Sequence, residues 1–122
     1  MKKDNVILQK SYSFAIDVVK LYRHLCYDKK EYVLSKQLVR CGTSIGANVE
    51  EAVGGQSEKD FVSKMKIAYK EARETHYWLR LLRDSGDLEE SHAAPALKEC
   101  EELLKIITKI LNTMKDKMSR QL

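Results

Sequence analysis

Residues 41–61 read CGTSIGANVEEAVGGQSEKDF. Within them Cys41, Ile45, Val49 and Ala52 recur at steps of four, four and three, the spacing of one helical face. Gly54-Gly55 is expected to stop that helix, because glycine tolerates the left-handed conformation that closes one. Ser57 and Asp60 then resemble a capping box, with aspartate standing in for glutamate, and a new helix opens at Ser57. Two amphipathic helices joined this tightly must lie antiparallel. The first of them carries Gly42, Ser44, Gly46, Asn48 and Glu51 where a plain scaffold helix would use Ala, Leu, Glu and Lys. These small and polar residues predict that another element approaches the helix closely.

Working outward, the spacing predicts four helices, over about 11–27, 32–53, 57–85 and 91–118. In the first, Phe14, Val18, Leu21 and Leu25 share a face, and Asp28-Lys29-Lys30 supplies a polar break. Leu34 and Leu38 extend the stripe of the second. Phe61, Met65, Ala68, Ala72, Thr75, Leu79 and Leu82 mark the third, which Ser85-Gly86 ends. The fourth keeps a three-four alternation through Leu97, Cys100, Leu104, Ile107, Leu111, Met114 and Met118, with Pro95 expected in its first turn, or kinking the helix if it starts near Leu88. No strand pattern competes. The expected fold is all-α, an up-and-down antiparallel four-helix bundle forming a single domain over residues 1–122.

Bulk properties agree. One proline and five glycines in 122 residues argue against a turn-rich fold. The formal net charge of +4 permits nucleic-acid contact without requiring it. Cys26, Cys41 and Cys100 are odd in number and lack C-x-x-C pairing, so they read as small buried thiols in a reducing compartment. No signal peptide is visible, and no apolar run approaches the ~20 residues that span a bilayer. The expectation is a cytoplasmic protein with no membrane partner.

Three surfaces remain once the core is assigned. On the second helix, Gln37, Ser44, Asn48 and Glu51 form a stripe about 80° from the apolar one. It is either a solvated flank or a polar seam against another helix or subunit; its mix of small and hydrogen-bonding residues favours contact. On the third helix, Ile67, Glu71, Trp78 and Leu81 broaden one flank. Burial of Trp78 in the protomer core and burial in an oligomer interface both fit that pattern. The opposite flank reads Lys66, Tyr69, Lys70, Arg73, Tyr77 and Arg80, a basic stripe interleaved with aromatics within about 100° of arc. Its cations suit phosphates and its tyrosines suit unpaired bases, although tyrosine rings under lysine and arginine stems also suit a solvated face. Charge is uneven elsewhere. Residues 87–106 hold six acids and two bases, whereas residues 107–122 hold four bases and one acid.

Catalytic patterns do not appear. His24, His76 and His92 fall in three separate segments. A di-iron bundle needs two Glu-x-x-His pairs, and Glu89-x-x-His92 supplies one, so no metal ligand is assigned. There is no phosphate loop, H-E-x-x-H or G-x-S-x-G. The expectation is a protein that is not an enzyme and carries no cofactor.

Lys10-Ser11-Tyr12-Ser13-Phe14-Ala15, then Gln37 through Ala52, then Ser57-Glu58-Lys59-Asp60-Phe61, then Lys70 through Leu79 occur in this order. Together they resemble the bacterial four-helix-bundle proteins encoded within intervening sequences of 23S ribosomal RNA genes. The accessory variability protein of diversity-generating retroelements is similar. The resemblance runs from about Lys10 to Met118. It implies a four-helix protomer in a ring-like homo-oligomer, most often a pentamer, and a role with RNA or DNA. Two departures stand out: the small, proline-bearing Ser91-His92-Ala93-Ala94-Pro95 and the low net charge. The expected function is that of a non-enzymatic oligomeric bundle binding nucleic acid, RNA foremost, through Lys66, Lys70, Arg73 and Arg80 with Tyr69 and Tyr77 stacking. The alternative is a protein-interaction scaffold that uses the groove around Trp78 and Glu51.

Overall fold

The computed structural model describes residues 2–121, with side chains from Val6 to Gln121. Four helices follow one another: α1 (Lys2–Tyr27), α2 (Leu34–Val53), α3 (Glu58–Asp84) and α4 (Glu90–Arg120). Among the described residues there is no strand. Each helix packs on its chain neighbours, α4 closes against α1, and the diagonal pairs stay apart. Cross-helix partners run in opposite directions: Arg40 with Glu74 but Glu51 with Lys64, and Lys10 with Glu102 but His24 with Glu89. The molecule is therefore an all-α, antiparallel four-helix bundle.

The core is continuous along the bundle axis. Phe14, Val18 and Leu25 of α1 meet Leu38, Ile45 and Val49 of α2, Met65, Leu79 and Leu82 of α3, and Leu103 and Ile107 of α4. On α4 the buried set includes Leu103 and Ile110, while Leu104, Leu111 and Met114 are only half-buried against the core. The α4 stripe is thus rotated slightly from the one the alternation predicts.

Helix boundaries differ from the sequence expectation in instructive ways. α1 starts at Lys2, and its extra turns bury Ile7. α2 starts at Leu34 with Val33 as its N-cap, a residue whose side chain cannot cap. Glu31 does it instead: its carboxylate accepts the backbone N–H groups of Val33 at 3.1 Å, Leu34 at 2.9 Å and Ser35 at 2.7 Å. Burial alone would raise that carboxyl; the three donors outweigh it and hold it below the usual range. Gly54 ends α2 at φ −83°, not in the left-handed region. Gly55 is held by space, since a Cβ there would stand 3.1 Å from the Ala52 carbonyl oxygen. The left-handed residues are Lys30, at φ 58° between α1 and α2, and Gly86, at φ 87° between α3 and α4. Ser57 caps α3, its Oγ accepting the Asp60 N–H at 3.1 Å. Pro95 lies inside α4, beyond its first turn, because the helix begins at Glu90. Its exposed position leaves the freed Ser91 carbonyl open to water.

The small residues of α2 explain the intimacy of the α1–α2 contact. A Cβ on Gly42 would stand 2.7 Å from Val18 Cγ1, and one on Gly46 would stand 3.2 Å from the Ser11 carbonyl oxygen. The close approach expected at residues 42–46 is that of α1.

Candidate nucleic-acid interface

The stripe Lys66, Tyr69, Lys70, Arg73, Tyr77 and Arg80 lies on the outer side of α3. Tyr69 is half-buried against the core and the other five are exposed. The Arg73 guanidinium sits over the Tyr69 ring at 6.0 Å and donates to its hydroxyl at 3.4 Å. Arg80 sits over Tyr77 at 5.9 Å, and Tyr77 meets Trp78 edge to face at 5.1 Å. Each arginine is thus braced by an aromatic ring four or three residues earlier, with its charge kept at the surface.

Ion pairing separates this stripe from the α2–α3 flank. Among the described residues no carboxylate lies within ion-pair distance of Lys66, Lys70, Arg73 or Arg80. By contrast Arg40, Lys64, Lys10, Lys29 and Lys117 each hold a carboxylate. Arg80 Nε donates to His76 Nδ1 at 3.1 Å, and His76 Nε2 faces Glu101 of α4 at 2.8 Å. Glu101, drawn in through His76, and Asp84, which feels the Arg80 charge, interrupt the basic field near its Arg80 end.

The stripe borders α4, whose basic C-terminal part adds to it. Lys66, Val62, Leu111, Asn112, Lys115 and Met118 line one groove between the two helices, of about 740 Å³. Lys115 is a candidate that sequence spacing within one helix misses. The excess of bases over acids in residues 107–122 was the available signal.

The second set of residues runs along the α2–α3 groove. Ser44 Oγ donates to the Arg40 carbonyl at 2.7 Å, and Asn48 Nδ2 donates to the Ser44 carbonyl at 2.8 Å. Glu51 pairs with Lys64 at 3.2 Å. Glu71 is buried and receives Arg40 Nη1 at 3.5 Å, while Arg40 Nη2 pairs with Glu74. Trp78 packs half-buried on the core and donates its indole N–H to Glu74 at 3.1 Å. Gln37 and Ile67 are exposed, Ile67 by 39%, and Leu81 is half-buried. These polar groups find partners within the protomer, and a narrow apolar strip of Ile67, Trp78 and Leu81 runs beside them.

Two of the three thiols are closed off, and Cys26, expected buried, is half-buried beside Ser35. Cys41 and Cys100 are buried, and burial pushes their thiols up to about 11 and about 12. At the far end of the bundle, chain reversal brings His24 to Glu89 and His92. No helix among the described residues is long and apolar enough to cross a membrane.

Comparison with known proteins places this geometry in context. The family model described as "23S rRNA-intervening sequence protein" matches residues 3–109. A crystal structure from Bacteroides thetaiotaomicron VPI-5482, of a protein with unknown function from the S23 ribosomal protein family, is similar at 44% identity. The match covers 90% of this chain and 98% of that one, with a TM-score of 0.88. No curated protein matches the chain.

Proposed function

The chain belongs to the family of 23S rRNA-intervening sequence proteins, and on that footing we propose that it is a non-enzymatic, self-associating bundle that binds RNA through the outer face of α3. One observation carries the reading: four cations, Lys66, Lys70, Arg73 and Arg80, stand exposed on one flank without a carboxylate partner among the described residues. Arg40 and Lys64, on the α2 side of the bundle, are instead neutralised by acids. Unpaired cations at helical spacing suit a phosphate backbone, and Tyr77 offers an exposed ring beside them for an unstacked base. Lys115 extends the field across the groove onto α4. A fluorescence-anisotropy titration of single-stranded RNA tests this. Arg73→Glu with Arg80→Glu is expected to weaken binding at least tenfold; unchanged affinity in that variant would refute the assignment.

A second reading, a protein-interaction scaffold without RNA binding, is favoured by the other flank. There Arg40 and Lys64 are consumed by Glu71, Glu74 and Glu51, and Ile67 remains partly exposed beside Trp78. Such a face suits burial against a protein better than contact with phosphate.

A further inference from the structure

At the end of the bundle where α1 finishes and α4 begins, a cluster of side chains belongs to neither flank of α3. His24 lies in the last turn of α1, Glu89 is the N-cap residue of α4, and His92 follows within its first turn. One donor atom from each lies within 4.8 Å of the others. His24 Nε2 stands 3.2 Å from Glu89 Oε1, and His92 Nδ1 stands 3.8 Å from the same oxygen. The two imidazoles stack with centroids 4.6 Å apart. In a tetrahedral site with bonds of about 2.0–2.2 Å, neighbouring donor atoms are roughly 3.3–3.6 Å apart. The two nitrogen–oxygen distances stand near that spacing, and the two ring nitrogens lie within 4.8 Å of each other, with rotation of the exposed His92 ring out of the stack needed to aim both at one ion.

Asp28 supplies an independent observation. Its Oδ2 lies 2.7 Å from His24 Nδ1 and accepts the proton there. With that proton on Nδ1, Nε2 either donates to Glu89 Oε1 as an imidazolium or presents its lone pair to a cation there. Two acceptor atoms at 3.2 Å repel unless a cation lies between them, either a proton or a metal ion. Lys29 Nζ takes the other oxygen, Oε2, at 3.0 Å, so Oε1 is the one turned to the histidines. An outer carboxylate holding the far nitrogen of a ligating imidazole is the arrangement found around metal-bound histidines. Glu89 and His92 are exposed, which gives an ion a path and leaves room for water to complete its coordination.

We propose that His24 Nε2, Glu89 Oε1 and His92 Nδ1 bind one divalent transition ion of the zinc class, with Asp28 as the positioning residue for His24. Two imidazoles and one carboxylate suit zinc and its neighbours, whereas magnesium and calcium prefer all-oxygen sites. The positive end of α4 opposes a cation, and three converging donors are what offset it. A bound ion would fasten the end of α1 to the start of α4, ends that the chain itself joins only through α2 and α3.

The test is calorimetric titration of the full chain with zinc near neutral pH, paired with cobalt(II) absorption to read the ligands. The expected result is one saturable equivalent per chain, a rise in melting temperature with zinc, and cobalt bands lacking thiolate charge transfer. His92→Ala, which removes an exposed ring, should weaken binding about tenfold or more, and Asp28→Asn roughly tenfold. His76→Gln should leave it unchanged. No saturable uptake, thiolate bands, or full affinity in the His24→Ala/His92→Ala double variant would overturn the proposal.

Discussion

Gly42 faces Val18, which is fully buried and β-branched and so cannot rotate aside. Alanine is the better helix former by about 1 kcal/mol, but a Cβ placed 2.7 Å from Val18 Cγ1 overpacks the α1–α2 contact, at a cost of about 1–3 kcal/mol. Gly42→Ala is therefore expected to destabilise the bundle by about 1 kcal/mol net in urea unfolding. Stabilisation would show that α1 does not approach so closely. Gly46→Ala, whose Cβ meets a carbonyl at 3.2 Å, should fall nearer to neutral. The sequence showed that something approaches α2, because small residues recur there without an apolar reason. It did not show that the residues divide. Gly42 and Gly46, four apart, turn to α1, while Ser44 and Asn48 bond back to carbonyls of α2 itself and Glu51 reaches Lys64 of α3.

At the scale of elements, the apolar periodicities of α2 and α3 were legible because nearly every predicted stripe residue is buried. The ends were less so, since they rest on individual hydrogen bonds. Glu31 stands three residues before α2, and nothing in local spacing separates it from any other surface acid. Glu31→Ala removes three N–H partners at once and is expected to cost about 1–2 kcal/mol, read as a lowered thermal midpoint; an unchanged midpoint would mean water replaces the cap freely. The α1–α4 contact carries a titration of its own. Burial, then a hydrogen bond and charge from Asp17, push Glu99 up to about 7, from an ordinary value of 4.5. The folded state keeps a proton that the unfolded chain releases, so this carboxyl lowers stability as pH rises from about 4.5 to about 7. Glu58 and Glu102 are shifted down and weaken the fold only at lower pH. Melting temperature should therefore rise on acidification from about pH 7.5 to about pH 5.5. Glu99→Gln should reduce that rise. An identical pH profile in the variant would contradict the assignment.

Around α3, charge is sorted by flank: Arg40 and Lys64 are paired on the α2 side, whereas Lys66, Lys70, Arg73 and Arg80 hold no carboxylate on the other. That sorting depends on which helices become neighbours, so it could not be read from one helix at a time. The same limit hid the meeting of His24 with Glu89, 65 residues apart. Self-association is proposed from the strip of Ile67, Trp78 and Leu81, and light scattering checks it: a mass well above the 14.1 kDa protomer is expected at micromolar concentration, and Trp78→Ala should lower it. A strict protomer mass would remove the oligomer from the account. RNA binding at the outer face of α3 is the central claim, and the salt dependence of affinity tests it most directly. Log affinity plotted against log salt should fall linearly, and Arg73→Glu with Arg80→Glu should make the slope shallower by about 1.4, two single-strand phosphate contacts. A flat plot for the native protein, or the same slope in the variant, would contradict it.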